Sequence, residues 1–307
     1  MTIETLPESL IVTKILRDNG LSQLIAGELK TVATGLAFTE GPLWLPDGTL
    51  LFQDLKANRT HAVSAQGAVR TLRDYTRGAN GQTFGPDGRI IFCEQDGRRV
   101  SVMNRDGSQA ETLVERIQGS RVNSPNDIIT RRNGSILFTD PPYGVPRPED
   151  KELPYQAVFQ LDRSGDLQPV VWEEFEKPNG LALSPDESVL YVNDTGKYHV
   201  RAFDCAPGGQ VLANSSRVVA TFDPAEPGGP DGIKVDGEGR LYVAVAEGIW
   251  VLEASGRLLG IIATPRRPSN LAWGGAEGRT LAITAVDQVH TIEMKVAGVL
   301  PPFRDLA

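Results

Sequence analysis

PDGTLLFQD, residues 46–54, joins a Pro-Asp-Gly turn to a short apolar run, and this unit returns along the chain as PDGRIIFCE (86–94), RNGSILFTD (132–140), PDESVLYVND (185–194), DGEGRLYVAV (236–245) and AEGRTLAITA (276–285). A turn dipeptide followed by β-branched and aromatic residues is the local signal of a strand entered from a tight turn. Aligned on Phe52, Phe92, Phe138, Val192, Val243 and Ile283, the six runs are spaced by 40, 46, 54, 51 and 40 residues. Each is followed by a second pair of strand signals around another turn, as in SVMNRDGSQAETL and VFQLDRSGDLQPVV. Four short strands per repeat of roughly 40 to 50 residues is the pattern of a propeller blade. The expected fold is therefore all-β, a six-bladed β-propeller occupying residues 26–307 as a single domain.

The ends of the repeat array add one refinement. LKTVATGLAF (29–38) precedes Glu40 as RLLGIIATPRRP (257–268) precedes Asn270, so it reads as the last strand of a blade whose other strands lie at the C-terminus. An N-terminal strand would then close the ring and remove a free sheet edge. Residues 1–25 fall outside the repeat as an N-terminal extension, with a helix-compatible stretch in SLIVTKILRDN.

Charge and composition narrow the partners. Thirty-one Lys+Arg against 39 Asp+Glu give a net charge of −8, which argues against a nucleic-acid partner. Cys93 and Cys205 make no disulfide framework and no C-x-x-C pair. No run approaches the roughly 20 apolar residues of a membrane span, and the first residues lack the basic start of a secretion signal. The reading is a protein without a membrane partner, cytoplasmic, with the periplasm as the alternative and the oligomeric state open.

Function is sought at positions that share a phase. Twelve or thirteen residues before each anchor stand Glu40, Asn80, Asn126, Asn179, Asp231 and Asn270, in the settings TEGP, RGANG, SPND, KPNG, GPDG and PSN. Equivalent phases of successive blades meet around a propeller axis, so six oxygen-bearing side chains would converge near one mouth. Asn before Gly is also an ordinary turn residue, but Glu40 has no such turn chemistry. An oxygen cage with two carboxylates suits one hard divalent cation, Ca²⁺ before Mg²⁺, Mn²⁺ or Zn²⁺. The three histidines, His61, His199 and His290, are too scattered for an imidazole site.

Several polar residues stand beside the cage as further candidates. His199, in NDTGKYH, is a candidate acid or base at the mouth, and Asp140 and Tyr143, in FTDPPYG, are candidates to reach the pocket. Arg98, Arg99, Arg266 and Arg267 read as solvated loop charges, and Trp44, Trp172, Trp250 and Trp273 as blade core. No G-x-S-x-G is present, so a serine nucleophile is not expected.

TEGPLWLPDGTLLFQD, NSPNDIITRRNGSILFTDPPYG, KPNGLALSPDESVLYVNDT, PDGIKVDGEGRLYVA and SNLAWGGAEGRTLAIT, in this order, resemble the gluconolactonase branch of the senescence marker protein (regucalcin)/gluconolactonase/LRE-like family, from about residue 30 to 300. The resemblance implies a divalent-metal-dependent hydrolase opening sugar lactones such as glucono-1,5-lactone to the aldonic acid. It implies metal ligands at Glu40, Asn179 and Asp231, with Asn126 either completing the shell or binding substrate, and Asp127 contacting sugar hydroxyls. Asn80, His199 and Tyr143 complete the candidate substrate contacts. Two departures leave the preferred lactone open: Ser124 stands where sugar-lactone enzymes can carry Arg, and Gln95 follows Cys93 and Glu94 where many bacterial members carry His. In the expected mechanism Asp231 takes a proton from the attacking water and Asn126 orients the lactone, with direct attack by Asp231 and a metal-bound hydroxide as variants. Arylester or phosphotriester hydrolysis on the same propeller, and a non-enzymatic calcium-binding propeller, are the competing readings.

Overall fold

A computed structural model describes residues 9–225 and 228–306. The inner strands of the six blades are Thr39–Trp44, Ala79–Phe84, Ile128–Thr130, Pro178–Leu183, Ile233–Val235 and Asn270–Gly274. Each pairs antiparallel with the run that follows its turn, giving Leu50–Asp54, Ile90–Glu94, Ile136–Asp140, Val189–Asp194, Leu241–Val245 and Thr280–Ala285 as second strands. The six anchors all lie on these second strands and are fully buried. Inner strands of neighbouring blades touch around the axis, and the sixth touches the first. The chain is a six-bladed β-propeller. None of its described helices is long and apolar enough to cross a membrane.

Closure follows the expected route. The sixth blade takes three strands from the C-terminal side, and its fourth is Leu29–Thr34, paired with Gln288–Glu293. The sheet edge that six open blades would leave is thereby consumed.

The N-terminal extension is not helical where it is described, apart from a single short turn, Leu21–Leu24. Ser9–Ile11 pairs antiparallel with Leu29, Lys30 and Thr31 of the closing strand, and Ile15–Leu16 pairs with Ile261 and Ile262 of the fifth blade. The physical reason is that Ile11 and Ile15 pack against the core shared by blades five and six, and open edges there offer backbone partners that a short isolated helix lacks. Residues 1–8 lie outside the described residues.

Apolar side chains of adjacent blades interlock into successive clusters, such as Leu43, Ala79, Phe84, Ile90 and Phe92 between the first two blades. Trp273 is buried in the cluster of blades five and six, as expected of blade core. Trp172, by contrast, is 40% exposed and meets Tyr155 with tilted rings, so it is a surface residue.

Candidate active site at the channel mouth

The residues at the shared phase sit where the inner strands begin, and local backbone irregularity aims them. Pairing slips between Glu40 and Leu43, between Ala79 and Gln82, and between Pro178 and Leu181, so Glu40, Asn80 and Asn179 each fall in a bulge. A bulge turns a side chain out of the sheet's alternation, here toward the axis instead of into the space between blades. A glycine follows at Gly41, Gly81, Gly180 and Gly232, which lets adjacent blades approach backbone to backbone. A Cβ on Gly41, whose φ is +47°, would lie 2.0 Å from Asn80 O. Gly81 N donates to Asn126 O at 2.8 Å and Gly180 N to Asp231 O at 3.0 Å, stitching consecutive blades at this level.

A second repeated device holds the loops. Asp54, Asp140 and Asp194 occupy the last position of their second strands and are buried. Asp54 accepts from the N–H groups of Ala37 and Phe38, Asp140 from Asn123 and Ser124, and Asp194 from Glu176 and Lys177. In each case the second donor lies two residues before a residue of the cage: Glu40, Asn126 or Asn179. Burial pushes Asp140 up to about 7, against the pull of its two N–H donors. Asp140 is therefore a support for the Asn126 loop and not a wall of the pocket.

The two predicted carboxylates are brought together. Glu40 Oε2 accepts from Gly41 N at 3.0 Å and from Asn270 Nδ2 at 3.1 Å. Burial raises its carboxyl well above the usual range, and the neighbouring Asp231 and Asp127 raise it further. Asp231 is pushed up to about 6 by burial, with Arg267 and Asn179 pulling it back and Asp127 opposing them. Asp231 O also accepts from Asn193 Nδ2 at 2.6 Å, which anchors its backbone to the fourth blade.

Asn179 Nδ2 donates to Thr195 Oγ1 at 3.0 Å, leaving its side-chain oxygen for the axis. The Tyr143 phenol reaches Thr195 and Asn179 beside Asp231, and burial of that end raises its pKa, while the residue as a whole stays 38% exposed. Asp127 Oδ1 accepts from Ile128 N at 2.9 Å, and its Oδ2 lies 3.4 Å from Lys234 Nζ across the channel. Asn126 joins the ring through its backbone and is buried, and Asn80 is buried with its Oδ1 lacking a hydrogen-bond partner among the described residues.

His199 does not join this group. It starts the third strand of blade four, one strand out from Asp194, and burial lowers its pKa while Asp194 opposes the shift. Of the four arginines read as solvated loop charges, Arg266 is one, and Arg98, Arg99 and Arg267 depart from that expectation. Arg98 is buried and its guanidinium donates to Val122 O, Asn123 O and Asp150 O, because the loop before Asn126 folds around it. Arg99 forms a two-point pair with Glu94 at 2.7 and 3.1 Å. Arg266 pairs with Asp287 at 3.2 Å, and Arg267 reaches into the mouth, 3.4 Å from Asp231 Oδ2. Lys234 and Arg267 are the site residues that the repeat phase passes over, since they sit three residues to either side of a phase position.

The donor set has the chemistry that a hard divalent cation takes. Among the described residues there is no cluster of three or more His, Cys, Asp and Glu side chains suited to a metal. The mouth instead offers two mutually repelling buried carboxylates, the amide oxygen of Asn179 and the orphaned amide oxygen of Asn80, an all-oxygen set. Further along the inner strands, a cavity of about 140 Å³ is bounded by Gln82, Lys234, Trp273 and the C-terminal segment Val299–Pro302.

Residues 38–287 match the family model described as SMP-30/Gluconolactonase/LRE-like region. A gluconolactonase of Zymomonas mobilis is 30% identical over 89% of this chain and 83% of its own. A pentonolactonase of Haloferax volcanii is 27% identical over 83% of this chain and 84% of its own. The structure of a gluconolactonase from Xanthomonas campestris superposes with a TM-score of 0.84 at 33% identity, covering 94% of this chain and 97% of that one. With both the match and the propeller geometry in hand, this chain belongs to the SMP-30/gluconolactonase/LRE-like family.

Proposed function

We propose that this protein is a lactonase that hydrolyses sugar lactones of the aldonolactone class with the help of one divalent cation, Ca²⁺ foremost. The observation that carries the reading is the meeting of Glu40 and Asp231, from the first and fifth blades, as buried carboxylates with raised pKa values beside Asn179. Membership of a family whose relatives are named gluconolactonase and pentonolactonase supports it.

Glu40, Asn179, Asp231 and Asn126 would hold the cation, which when bound supplies a Lewis acid for the lactone carbonyl and for the charge that develops on it. In this reading Asp231 accepts the proton of the attacking water. Asn179, hydrogen-bonded beside it, steadies that carboxylate. Asp127 and Tyr143 offer an acceptor and a phenol to ring hydroxyls, and Asn80 and Asn126 line the remaining arc. His199 is assigned no step, since it stands one strand outside the ring.

Proton release from D-glucono-1,5-lactone and from pentonolactones tests the proposal, with chelator-stripped protein resupplied with Ca²⁺, Mg²⁺, Mn²⁺ or Zn²⁺. Turnover restored by a cation and lost in Asp231→Ala is the expected result. No turnover on any lactone with any cation overturns it, and turnover on phenyl acetate or a phosphotriester alone would move the activity to that class.

A further inference from the structure

The charged groups at the mouth do not balance once a divalent cation is counted. Fully ionised, as a bound cation would hold them, Glu40, Asp231 and Asp127 contribute three formal negative charges against the two positive ones of Lys234 and Arg267. A doubly charged cation among the carboxylates turns this formal sum from −1 to +1. Lys234 is committed to Asp127 inside the channel, where it also donates to Ile233 O at 3.1 Å. Of the two cations Arg267 is the more exposed, 39% against 22% for Lys234.

Arg267 is built to present its charge to the mouth. It lies in the loop between Leu258–Ile262 and Asn270–Gly274, and its guanidinium rests over Gly228, where a Cβ would be 2.4 Å from Cζ. Gly228, at φ +97°, lies in the loop that leads to Asp231 and leaves room for the guanidinium. Among the described residues its polar partner is Asp231 Oδ2 at 3.4 Å, a long contact on one nitrogen, and the side chain stays 39% exposed. A planar guanidinium carries five N–H donors and matches a carboxylate, sulfonate or phosphate in two-point geometry.

We propose that Arg267 is a specificity residue selecting lactones that carry a second, anionic substituent on the sugar chain. The inference rests on the lactonase reading above and deepens it, naming the substrate class. When such a lactone sits with its carbonyl at the cage, Arg267 exchanges its long contact with Asp231 for the substrate's anion, and Asp231 is left to the water.

The test compares wild type, Arg267→Gln and Arg267→Lys, saturated with Ca²⁺, on D-glucaro-1,4-lactone, which bears a free carboxylate, and on neutral D-glucono-1,5-lactone. The expected result is a fall in kcat/KM at least tenfold greater for the glucarolactone than for the gluconolactone in Arg267→Gln, carried by KM, with partial rescue in Arg267→Lys. A second readout is calorimetric binding of D-glucarate and D-gluconate, in which only the affinity for glucarate should drop in Arg267→Gln. Equal losses on both lactones and both acids, or no loss on either, overturn the proposal. If wild type opens neither lactone the lactonase reading fails, and the calorimetric comparison still decides the role of Arg267.

Discussion

His290 Nδ1 lies 3.1 Å from Thr31 Oγ1, a contact between the C-terminal and N-terminal strands of the closing blade. Burial lowers the His290 pKa to about 4, and Asp287 only partly offsets it. The unfolded chain binds this proton near pH 6.5, so the folded state holds fewer protons between those limits. The contribution to stability is complete above pH 6.5 and is lost as the pH falls through about 4. We expect urea unfolding to lose about 3 kcal/mol across this window from His290 alone, and His290→Gln to flatten that part of the profile.

Glu40→Gln separates the cage's cation binding from its architecture. The substitution removes one of two repelling buried charges, so chelator-treated variant should melt a few degrees above chelator-treated wild type. Wild type should gain about 2.7 kcal/mol at a Ca²⁺ concentration one hundred times its Kd, and the variant almost none. Differential scanning calorimetry with and without Ca²⁺ reads both effects.

Asp140→Ala tests the loop supports. Two buried N–H groups, those of Asn123 and Ser124, would lose their acceptor, and the loss is on the order of 2–4 kcal/mol. We expect lactone turnover to drop at least tenfold at temperatures where circular dichroism still shows an intact propeller, because the Asn126 loop loosens before the blades do. Asp194→Ala should repeat the effect at Asn179.

Close blade approach is tested by Gly41→Ala and Gly180→Ala. New Cβ atoms would meet Asn80 O at 2.0 Å and Asp231 O at 2.4 Å, contacts with backbone that cannot swing aside. Each variant should lose more than about 3 kcal/mol and most activity, an overpacking loss at the upper end for single substitutions. Gly165→Ala, with nothing within 4 Å of the new Cβ although φ is +89°, is the comparison for backbone strain alone. Equal destabilisation of all three in chemical denaturation would contradict the steric account.

The parts of this molecule visible in its sequence are those repeated six times. PDGTLLFQD and its relatives announce blades because turn chemistry and strand composition coincide in each, and Glu40, Asn80, Asn126, Asn179, Asp231 and Asn270 stand out because they share a phase. Phe52 and Asp54 carry the same message, since the acidic residue two places beyond the anchor recurs as Glu94, Asp140 and Asp194. What stays hidden depends on single loops. Arg98 and Arg267 resemble any solvated cation until the folded chain shows carbonyls around one and Asp231 beside the other. Ser9–Ile11 and Ile15–Leu16 are too short to show alternation, and their strand character comes from the edges they meet.

The closing strand also orders events in time. Leu29–Thr34 leaves the ribosome long before its partner Gln288–Glu293. Until then five blades can stack while an apolar strand waits with an unpaired edge, open to any other strand of matching register. Synthesis of this propeller therefore ends with the step that seals it, and a chain truncated before His290 would remain an open ring prone to pairing with its neighbours.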